Sequence, residues 1–375
     1  MSRKKLSIAF VYDGNLKPSE GVPSYILSLG SYYEMLGHRV HYLVSQSVIR
    51  SENIYSLSKT VSLPFNGNNV ETPLLANKKK ITKLIEQIRP DIMHLQMPYS
   101  PLMAGRVIKV AAKLNIPIFG TFHIFPESKH VIVGAKILNL LNFRTKKCIT
   151  RVISVSSAAA KFADSAFNIS SEVIPCPIDL KKLSQATPLT NYQGDKLNIV
   201  FMGRLVERKG CEYFIRAVGQ LNKSDQTKIR VLIGGGGPLE SHLIRLTGQL
   251  GLKNIITFLG YIEENSKPNF LRTADIAVFP SLGGESFGIM VVEAMGSGAG
   301  VVLGGNNEGY RGVLNENPEL LFEPRNTVRL ADMLARLVND KNKRNELHDY
   351  EQKLVRQFDI SIVGSKLLDE YYKLI

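Results

Sequence analysis

The chain has 375 residues, of which 44% are hydrophobic and 21% are charged, so it is long enough for two domains with cores of their own. This composition excludes disordered, fibrous and low-complexity proteins. No apolar run reaches the roughly 18–20 residues that a membrane-spanning helix needs. Cys148, Cys176 and Cys211 are far apart and form no C-x-x-C pair, which favours buried thiols in a reducing cytoplasm.

The formal net charge of +14 belongs almost entirely to the first half of the chain. Residues 1–190 hold 24 Lys and Arg against 11 Asp and Glu, whereas residues 191–375 hold 23 against 22. A basic surface attracts nucleic acid or anionic lipid headgroups, although an ordinary soluble protein can also have one. We find neither a recognition helix nor aromatic residues interleaved with basic ones, so nucleic acid is not an expected partner.

The first half alternates short apolar runs with segments of helical periodicity. Strands are predicted at residues 6–12, 39–44, 91–95, 116–122 and 152–155, and helices at residues 24–36, 79–88 and 101–114. Gly37 and Pro90 provide stop signals for the first two helices. This βαβ order is typical of a parallel sheet covered by helices.

The second half repeats the same order after an aperiodic polar segment at residues 184–196. Strands are predicted at residues 197–202, 229–233, 255–259, 276–279 and 300–303, and helices at residues 212–221, 239–250, 289–296 and 328–337. We therefore predict an α/β protein with two Rossmann-like, doubly wound domains that face each other across a cleft. The predicted domains are residues 1–185 and 186–355, and residues 356–375 form a C-terminal helix that packs back toward the first domain.

The most specific motif is Gly284-Glu-Ser-Phe-Gly288, which follows a predicted strand and leads into a helix. Free N–H groups at the start of a helix favour an anion such as a nucleotide diphosphate. Glu285 lies in the loop and Glu293 about one turn into the helix, so one carboxylate could hold a sugar and the other a ribose. Two glutamates at this spacing also occur on ordinary surfaces, but the glycine frame favours a binding site.

Two further segments end predicted strands at the edge where parallel sheets bind ligands. In the first, Gly203 allows a close backbone approach, and Arg204 and Lys209 can converge on a diphosphate; an exposed basic loop is the alternative. In the second, His123 follows an apolar strand, and a structural histidine is the alternative. His94 lies inside a strand and is interpreted as structural.

The loop after the first strand contains Asp13-Gly14 and Glu20-Gly21. It could close over the phosphates of a bound nucleotide, and an ordinary turn is nearly as good an interpretation. The sequence has no D-x-D pair, no G-x-x-x-x-G-K-[ST] loop and no G-x-G-x-x-G after the first strand. The carboxylate platform that usually holds a metal-bound sugar nucleotide is therefore missing, and no metal site is predicted.

Together these motifs resemble the family 4 glycosyltransferases of the GT-B fold, over roughly residues 6–340. The matching segments are Gly203-Arg204…Lys209-Gly210, Glu285-Ser-Phe-Gly-x4-Glu293, Thr121-Phe-His123, Val155-Ser156 and Val173-Ile-Pro175…Asp179. Within that family, the chain looks most similar to the phosphatidylinositol mannosyltransferases and related glycolipid enzymes.

The resemblance implies a retaining, metal-independent hexosyl transfer from a nucleotide sugar, with no cofactor. GDP-mannose is the first expectation for the donor and a UDP-hexose the second. The implied catalytic residues are His123, Arg204, Lys209 and Glu285. The implied donor-binding residues are Gly21, Gly203, Gly236, Ser286, Phe287, Gly288, Ile289 and Glu293. Candidates on the acceptor side are Tyr12, Asp13 and Gln96.

The basic first half favours a membrane lipid as acceptor and a peripheral position on the cytoplasmic face of a membrane. The candidate membrane residues are Lys78, Lys79, Lys80 and Lys83. They begin a helix whose apolar positions form one face, and a core-facing amphipathic helix is the alternative. Residues 130–143, followed by several basic residues, are a second candidate, for which a core helix is favoured. A soluble sugar or polysaccharide acceptor and a non-catalytic partner subunit are the competing hypotheses.

Overall fold

A computed structural model describes residues 3–18, 20–65, 68–126 and 129–375 of the chain. The chain divides into two compact units, the first formed by Met1–Pro177 with Ile360–Ile375 and the second by Ile178–Asp359. This division precedes the predicted boundary at residue 185, because Ile178 and the short helix Leu180–Leu183 pack against Gly296 of the second unit.

The first unit is built on a seven-stranded parallel sheet in the order β3-β2-β1-β6-β7-β8-β9, and β4 and β5 form a separate antiparallel pair. The strands are β1 (Ser7–Leu16), β2 (Arg39–Ser47), β3 (Ile54–Ser56), β4 (Thr60–Phe65), β5 (Asn68–Pro73), β6 (Ile92–Met97), β7 (Ile118–Phe122), β8 (Arg151–Ser154) and β9 (Glu172–Val173). Strand β1 continues beyond residue 12, where its prediction ended, through a register shift between Tyr12 and Asn15.

In the described part of this unit, six helices connect the strands. They are α1 (Gly21–Met35), α2 (Lys78–Ile88), α3 (Ala104–Lys113), α4 (Lys129–Leu141), α5 (Phe143–Lys146) and α6 (Ser157–Phe167). Helix α1 begins before the predicted residue 24, since its early Pro23 is compatible with a first helical turn. Helix α2 is capped by Asn77, whose side chain accepts hydrogen bonds from the backbone N–H groups of Lys79 and Lys80.

The direction of each crossover fixes the face of the sheet on which a helix lies. Parallel crossovers are almost always right-handed. The connections from β3 to β6, from β6 to β7 and from β7 to β8 run in one direction across the sheet, whereas the connection from β1 to β2 runs in the other. Helices α2, α3, α4 and α5 therefore share one face, where α3 contacts both α2 and α5. Helix α1 covers the opposite face.

The second unit is built on a six-stranded parallel sheet in the order β12-β11-β10-β13-β14-β15. Its strands are β10 (Leu197–Met202), β11 (Ile229–Gly234), β12 (Ile256–Gly260), β13 (Ile276–Phe279), β14 (Val301–Gly305) and β15 (Leu321–Phe322). Its helices are α7 (Leu180–Leu183), α8 (Cys211–Gln220), α9 (Lys223–Thr227), α10 (Glu240–Gln249), α11 (Lys267–Arg272), α12 (Ile289–Gly296), α13 (Glu308–Val313), α14 (Thr327–Asn339) and α15 (Lys341–Leu354). Two parallel α/β units confirm the predicted fold class.

The last helix, α16 (Ile360–Tyr372), belongs to the first unit and packs on α1. The hydroxyl of Tyr33 in α1 donates to the carbonyl of Gly364 at 3.1 Å. The hydroxyl of Tyr371 lies 2.5 Å from Nδ1 of the buried His94 in β6. The end of the chain therefore completes the core of the unit in which the chain begins. Within the described ranges, we find no helix with the length and apolar character needed to cross a bilayer.

Helix α4 differs from its prediction as a core helix. Val133 is 58% exposed, Ile137 57% and Leu140 76%. Only Ala135 is a buried hydrophobic residue among the described side chains of this helix. The apolar side chains that recur at helical spacing therefore face solvent. The prediction of a core helix at residues 130–143 is wrong.

Candidate active site

The loop at residues 281–288 connects β13 to α12 at the carboxyl end of the second sheet. It ends at Gly288, whose φ of +98° is the left-handed conformation that favours glycine. A Cβ atom at this position would lie 2.6 Å from the ring of Tyr310. Helix α12 begins without a side-chain cap, so the N–H groups of its first turn can bind an anion.

Three donors converge on one oxygen of Glu285 in this loop. Lys209 Nζ donates to Glu285 Oε1 at 2.7 Å, and Arg208 Nη1 donates to the same oxygen at 2.9 Å. The Ser281 hydroxyl donates to it at 2.7 Å. Burial raises the pKa of Glu285, but the charges of Lys209 and Arg208 outweigh burial and bring it below its ordinary value. The carboxylate is therefore ionised and held in one orientation.

Glu293, one turn into α12, is a largely buried carboxylate that pairs with the cation of Lys267. Lys267 Nζ at the start of α11 donates to Glu293 Oε1 at 2.8 Å. Among the described residues, Glu293 Oε2 has no hydrogen-bond partner. Burial raises the pKa of Glu293, and the adjacent Lys267 opposes that rise. Oε2 is therefore an acceptor that a hydroxyl group of a ligand could satisfy.

The segment after β10 places the basic loop beside the glycine-rich turn after β11. Gly203 and the exposed Arg204 follow the strand directly, and Lys209 ends a 3-10 turn at Glu207–Lys209. The close approach of the two segments depends on Gly235, which has a φ of +125°. A Cβ atom on Gly235 would lie 2.0 Å from the carbonyl oxygen of Gly203. Gly236, the predicted position, has open space, since its Cβ would meet only Glu240 Oε2, at 3.9 Å.

In the first unit, His123 directly follows β7 and is buried. Its Nε2 lies 2.7 Å from Gln96 Oε1, and the Gln96 amide donates to the carbonyl of His94 at 3.2 Å. The Gln96 oxygen must then accept, so His123 Nε2 carries the proton and Nδ1 is left as an acceptor. The ring of Tyr25 lies edge-on, with centroids 4.9 Å apart. Burial lowers the pKa of His123 to about 3, so the imidazole is neutral at physiological pH.

The structure changes the expectation for the acceptor side. Gln96 is only 2% exposed, and its amide is bonded to His123 and His94, so it cannot contact an acceptor directly. The carboxylate of Asp13 accepts the backbone N–H groups of Ser100 and Ala104 at the start of α3. Burial raises the pKa of Asp13 to about 6. Both residues therefore hold the first unit together.

The other predicted positions differ in what they offer a ligand. Tyr12 lies within β1 and is half-buried, as is Ile289 at the start of α12. The ring of Phe287 is buried against Phe358, at 5.6 Å between centroids, so Phe287 can offer a ligand only its backbone. Gly21 is the first residue of α1, and a Cβ atom there would meet nothing within 4 Å. Ser286 adjoins Glu285 in the loop.

Four contacting residues were not predicted from the sequence. Arg208 lies inside the basic loop, and its charge was a usable signal. Ser281 follows β13 closely, as site residues in parallel sheets do. Lys267 and Tyr25 belong to helices without a motif, and only the three-dimensional structure places them beside Glu293 and His123.

The predicted membrane lysines are exposed at the start of α2. Lys78, Lys79, Lys80 and Lys83 all face solvent. Of the apolar residues of this helix, Ile81, Ile85 and Ile88 are buried in the unit and Leu84 is half-buried. Helix α2 is therefore a core-facing amphipathic helix with a solvated basic side. In the parts of the chain that the structure describes, no cluster of three or more His, Cys, Asp or Glu residues could hold a metal ion.

Comparison with known proteins agrees with this architecture. The family described as Glycosyltransferase Family 4 matches residues 19–182, and the family described as Glycosyl transferases group 1 matches residues 189–354. A phosphatidyl-myo-inositol mannosyltransferase of Mycobacterium leprae is 29% identical over 357 residues, covering 94% of this chain and 92% of that protein.

Two solved structures share the fold. A glycosyltransferase from Rickettsia africae matches with a TM-score of 0.76 and 18% identity, covering 99% of both chains. The Anabaena protein HepE, solved in complex with UDP-glucose, matches with a TM-score of 0.75 and 16% identity, covering 98% of this chain and 100% of that one. Two parallel α/β units, both matched by glycosyltransferase families, lead to one conclusion: the chain belongs to the family 4, group 1 glycosyltransferases of the GT-B fold.

Proposed function

We propose that this glycosyltransferase moves a hexose from a nucleotide sugar to a membrane lipid of the phosphatidylinositol type. Mannose from GDP-mannose is the first candidate for the donor, and a UDP-hexose is the second. Similarity to phosphatidyl-myo-inositol mannosyltransferases over 94% of the chain supports the lipid acceptor and the mannose. The transfer proceeds with retention of the anomeric configuration and needs no metal ion.

The cation cluster around Glu285 is the observation that best supports a role in transfer. Lys209 and Arg208 are already oriented by that carboxylate, and Arg204 lies exposed at the end of β10. During transfer, the bond between the anomeric carbon and the diphosphate breaks, the acceptor oxygen bonds to that carbon, and the acceptor's proton passes to an oxygen of the leaving diphosphate. Negative charge then develops on the leaving diphosphate, and Lys209 and Arg204 stabilise it.

The remaining residues bind and orient the donor. Glu285 accepts a hydrogen bond from a sugar hydroxyl, and Glu293 Oε2 accepts from the ribose hydroxyls. Because His123 is neutral, its Nδ1 acts as a hydrogen-bond acceptor toward a sugar hydroxyl. Gly21 leaves room at the start of α1 for the approach of a phosphate, and the backbone at residues 286–289 offers N–H groups to the same diphosphate.

The exposed lysines of α2 hold the enzyme near its acceptor. Each lysine near an anionic surface contributes on the order of 1 kcal/mol, and salt screens this attraction within a Debye length. Lys78, Lys79, Lys80 and Lys83 together favour reversible binding to the cytoplasmic face of a membrane. The donor is then taken up from the cytosol.

Transfer to lipid tests the proposal directly. The chain is incubated with labelled GDP-mannose, UDP-glucose or UDP-galactose and vesicles that contain phosphatidylinositol. We expect label from GDP-mannose in the lipid fraction, an α-linked product by NMR from the α-linked donor, and no loss of activity with EDTA. Label found only on soluble sugars, or an inverted product, would contradict the proposal. A Lys209→Met variant is the control for contaminating activity.

A further inference from the structure

The first unit has an exposed apolar surface that the proposed chemistry does not use. We call this surface the α4–α5 patch. Each of its members has 53–76% of its surface exposed: Val133, Ile137, Leu140, Leu141 and Phe143. The first four recur at helical spacing, so they lie on one side of α4, and Phe143 begins α5. Exposed apolar clusters on a folded protein mark a surface that contacts a partner or a membrane.

Polar contacts hold the opposite side of this segment to the rest of the unit. The Asn142 amide donates to the carbonyl of Tyr99 at 2.7 Å, and the Thr145 hydroxyl lies 3.0 Å from the Tyr99 hydroxyl. Ala135, Asn142 and Thr145 are buried. The patch is therefore the outward side of an anchored segment.

The charged residues of α4 and α5, the segment that carries the patch, are all basic. Residues 129–163 contain no Asp or Glu. Lys136, Arg144 and Lys147 are exposed beside the patch, and Lys147 Nζ lies 4.5 Å from the centroid of the Phe143 ring. Apolar side chains with adjacent cations complement the acyl region and the phosphates of an anionic bilayer.

A groove beside the patch combines both features. It has a volume of about 260 Å³ and is lined by Leu140, Leu141 and Phe143 together with Lys109 of α3 and Arg144 of α5. The groove thus places apolar side chains within reach of two cations. This arrangement fits a phospholipid better than a fully polar ligand.

The patch lies on the same face of the first sheet as α2 and α3, as the crossovers require. This face also exposes the four lysines of α2 and, on α3, Lys109 and Lys113. The apolar residues of α2 are buried or, at Leu84, half-buried, so this helix contributes mainly charge. The α4–α5 patch has the exposed apolar side chains that α2 lacks.

We propose that the α4–α5 patch inserts into the boundary between headgroups and acyl chains of an anionic bilayer, while lysines of α2 and α3 bind the surrounding headgroups. The enzyme then binds its membrane through two components, one that salt screens and one that salt does not. The proposal rests on the membrane location of the proposed function, but its test needs no glycosyl transfer.

Removal of the patch tests the insertion. Vesicles of phosphatidylglycerol with phosphatidylcholine are sedimented with the wild type and with a Leu140→Ser, Leu141→Ser variant. A leucine side chain that moves from water into the membrane strengthens partition by about tenfold. Replacing both leucines should therefore weaken vesicle binding by roughly 100-fold. At high salt the wild type should keep measurable binding and the variant none. Unchanged binding of the variant would overturn the proposal.

The matched control carries Met35→Ser and Val48→Ser, two residues of the same unit that are 74% and 62% exposed and lie outside the patch. This variant should bind vesicles like the wild type. An equal loss in both double variants would overturn the proposal, since it would show that any exposed apolar residue has the same effect.

The absence of tryptophan from the chain allows a second measurement. In a Leu140→Trp variant, the emission should shift to the blue with anionic vesicles and be quenched by brominated lipid. A Met35→Trp variant should show neither change. No shift at position 140, or the same shift at both positions, would contradict insertion.

Two further results separate the hypotheses. A concentration-dependent dimer that the serine variant abolishes would show that a second copy covers the patch, and would overturn the proposal. If vesicle binding depends on the patch but no lipid is glycosylated, only the proposed acceptor fails. If lipid is glycosylated in detergent and the serine variant still binds vesicles normally, only the insertion fails.

Discussion

The two ends of the second unit's sheet each bury a glutamate, and the surroundings shift the pKa of these residues in opposite directions. At the carboxyl end, Lys209 and Arg208 hold Glu285 and bring its pKa below the ordinary value despite burial. At the amino end, Glu351 of α15 accepts the backbone N–H of Val302 at 3.0 and 3.1 Å, and burial raises its pKa well above the ordinary value.

Asp275 extends the contrast. It immediately precedes β13, accepts the backbone N–H of Asn198 at 2.8 Å, and has a pKa that burial raises. Acidic groups at the amino end therefore bind the backbone, whereas Glu285 at the carboxyl end orients cations. The difference indicates that burial alone does not mark a functional carboxylate in this fold; burial together with cation partners at the carboxyl end of the strands does.

The largest effect is expected at the carboxyl end. Lys209→Met removes a cation that stabilises the leaving diphosphate, so kcat should fall by about 100-fold or more with the fold intact. Arg204→Ala should act similarly. The matched control is Arg216→Ala, which removes an exposed cation paired with Glu212 on α8 of the same unit. Full activity of the Lys209 variant, or an equal loss of kcat in the Arg216 control, would contradict a special role for the cations at the carboxyl end.

At the amino end we expect a loss of stability without a loss of chemistry. Glu351→Ala leaves the N–H of Val302 unpaired in the core and creates a cavity, so the free energy of unfolding should fall by about 2–4 kcal/mol. The kcat per folded molecule should stay at the wild-type value. Urea unfolding and active-site titration measure the two quantities, and a fall in kcat at unchanged stability would show that Glu351 has a catalytic role.

The sequence predicted the two α/β units because buried parallel strands appear as short apolar runs between amphipathic helices. The strands Leu197–Met202 and Ile276–Phe279 and the helix Ile289–Gly296 have the predicted bounds. A core helix was favoured for residues 130–143, but the apolar side chains that recur at helical spacing in α4 are exposed. Periodicity identifies a helical face but does not identify what covers it.

Residues of the candidate site could be predicted only where those that meet in the structure are also neighbours in one sequence motif. Gly284-Glu-Ser-Phe-Gly288 and the basic loop were found in this way. The ion pair between Lys267 and Glu293 joins two helices, and the bond between Gln96 and His123 joins neighbouring strands. Such pairs depend on the packing of distant segments, which a single sequence does not specify.

The two glutamates should also respond oppositely to pH. The ordinary pKa of a glutamate is about 4.3. Because the pKa of Glu285 is lowered on folding, its contribution to stability is present above that value and is lost as pH falls through the folded pKa. Because the pKa of Glu351 is raised, its contribution is present below that value and is lost as pH rises through the folded pKa.

Urea unfolding of the wild type, Glu285→Gln and Glu351→Gln, at pH values below and above about 4.3, tests these two opposite changes in stability. The stability advantage of the wild type over the Glu285 variant should shrink toward low pH. Its advantage over the Glu351 variant should shrink toward high pH. Parallel curves for the two variants would show that the charge states do not differ.

The smallest effect concerns His123 in the first unit. Because its folded pKa is about 3 and an unfolded histidine has a pKa of about 6.5, its contribution to stability is present at neutral pH and is lost as pH falls between these values. Nitrogen NMR should show a neutral ring with the proton on Nε2 throughout the physiological range. A ring that titrates near its ordinary pKa would contradict the buried, Gln96-bonded state.

The most direct test of the donor site is calorimetric titration with GDP and with UDP of the wild type, Lys209→Met and Glu351→Gln. If the donor diphosphate binds at the carboxyl end of the second sheet, the wild type and the Glu351 variant should bind one of these nucleotides with the same affinity. The Lys209 variant should bind it at least tenfold more weakly, a loss of about 1.4 kcal/mol. Wild-type affinity in the Lys209 variant, or lost binding in the Glu351 variant, would contradict the account.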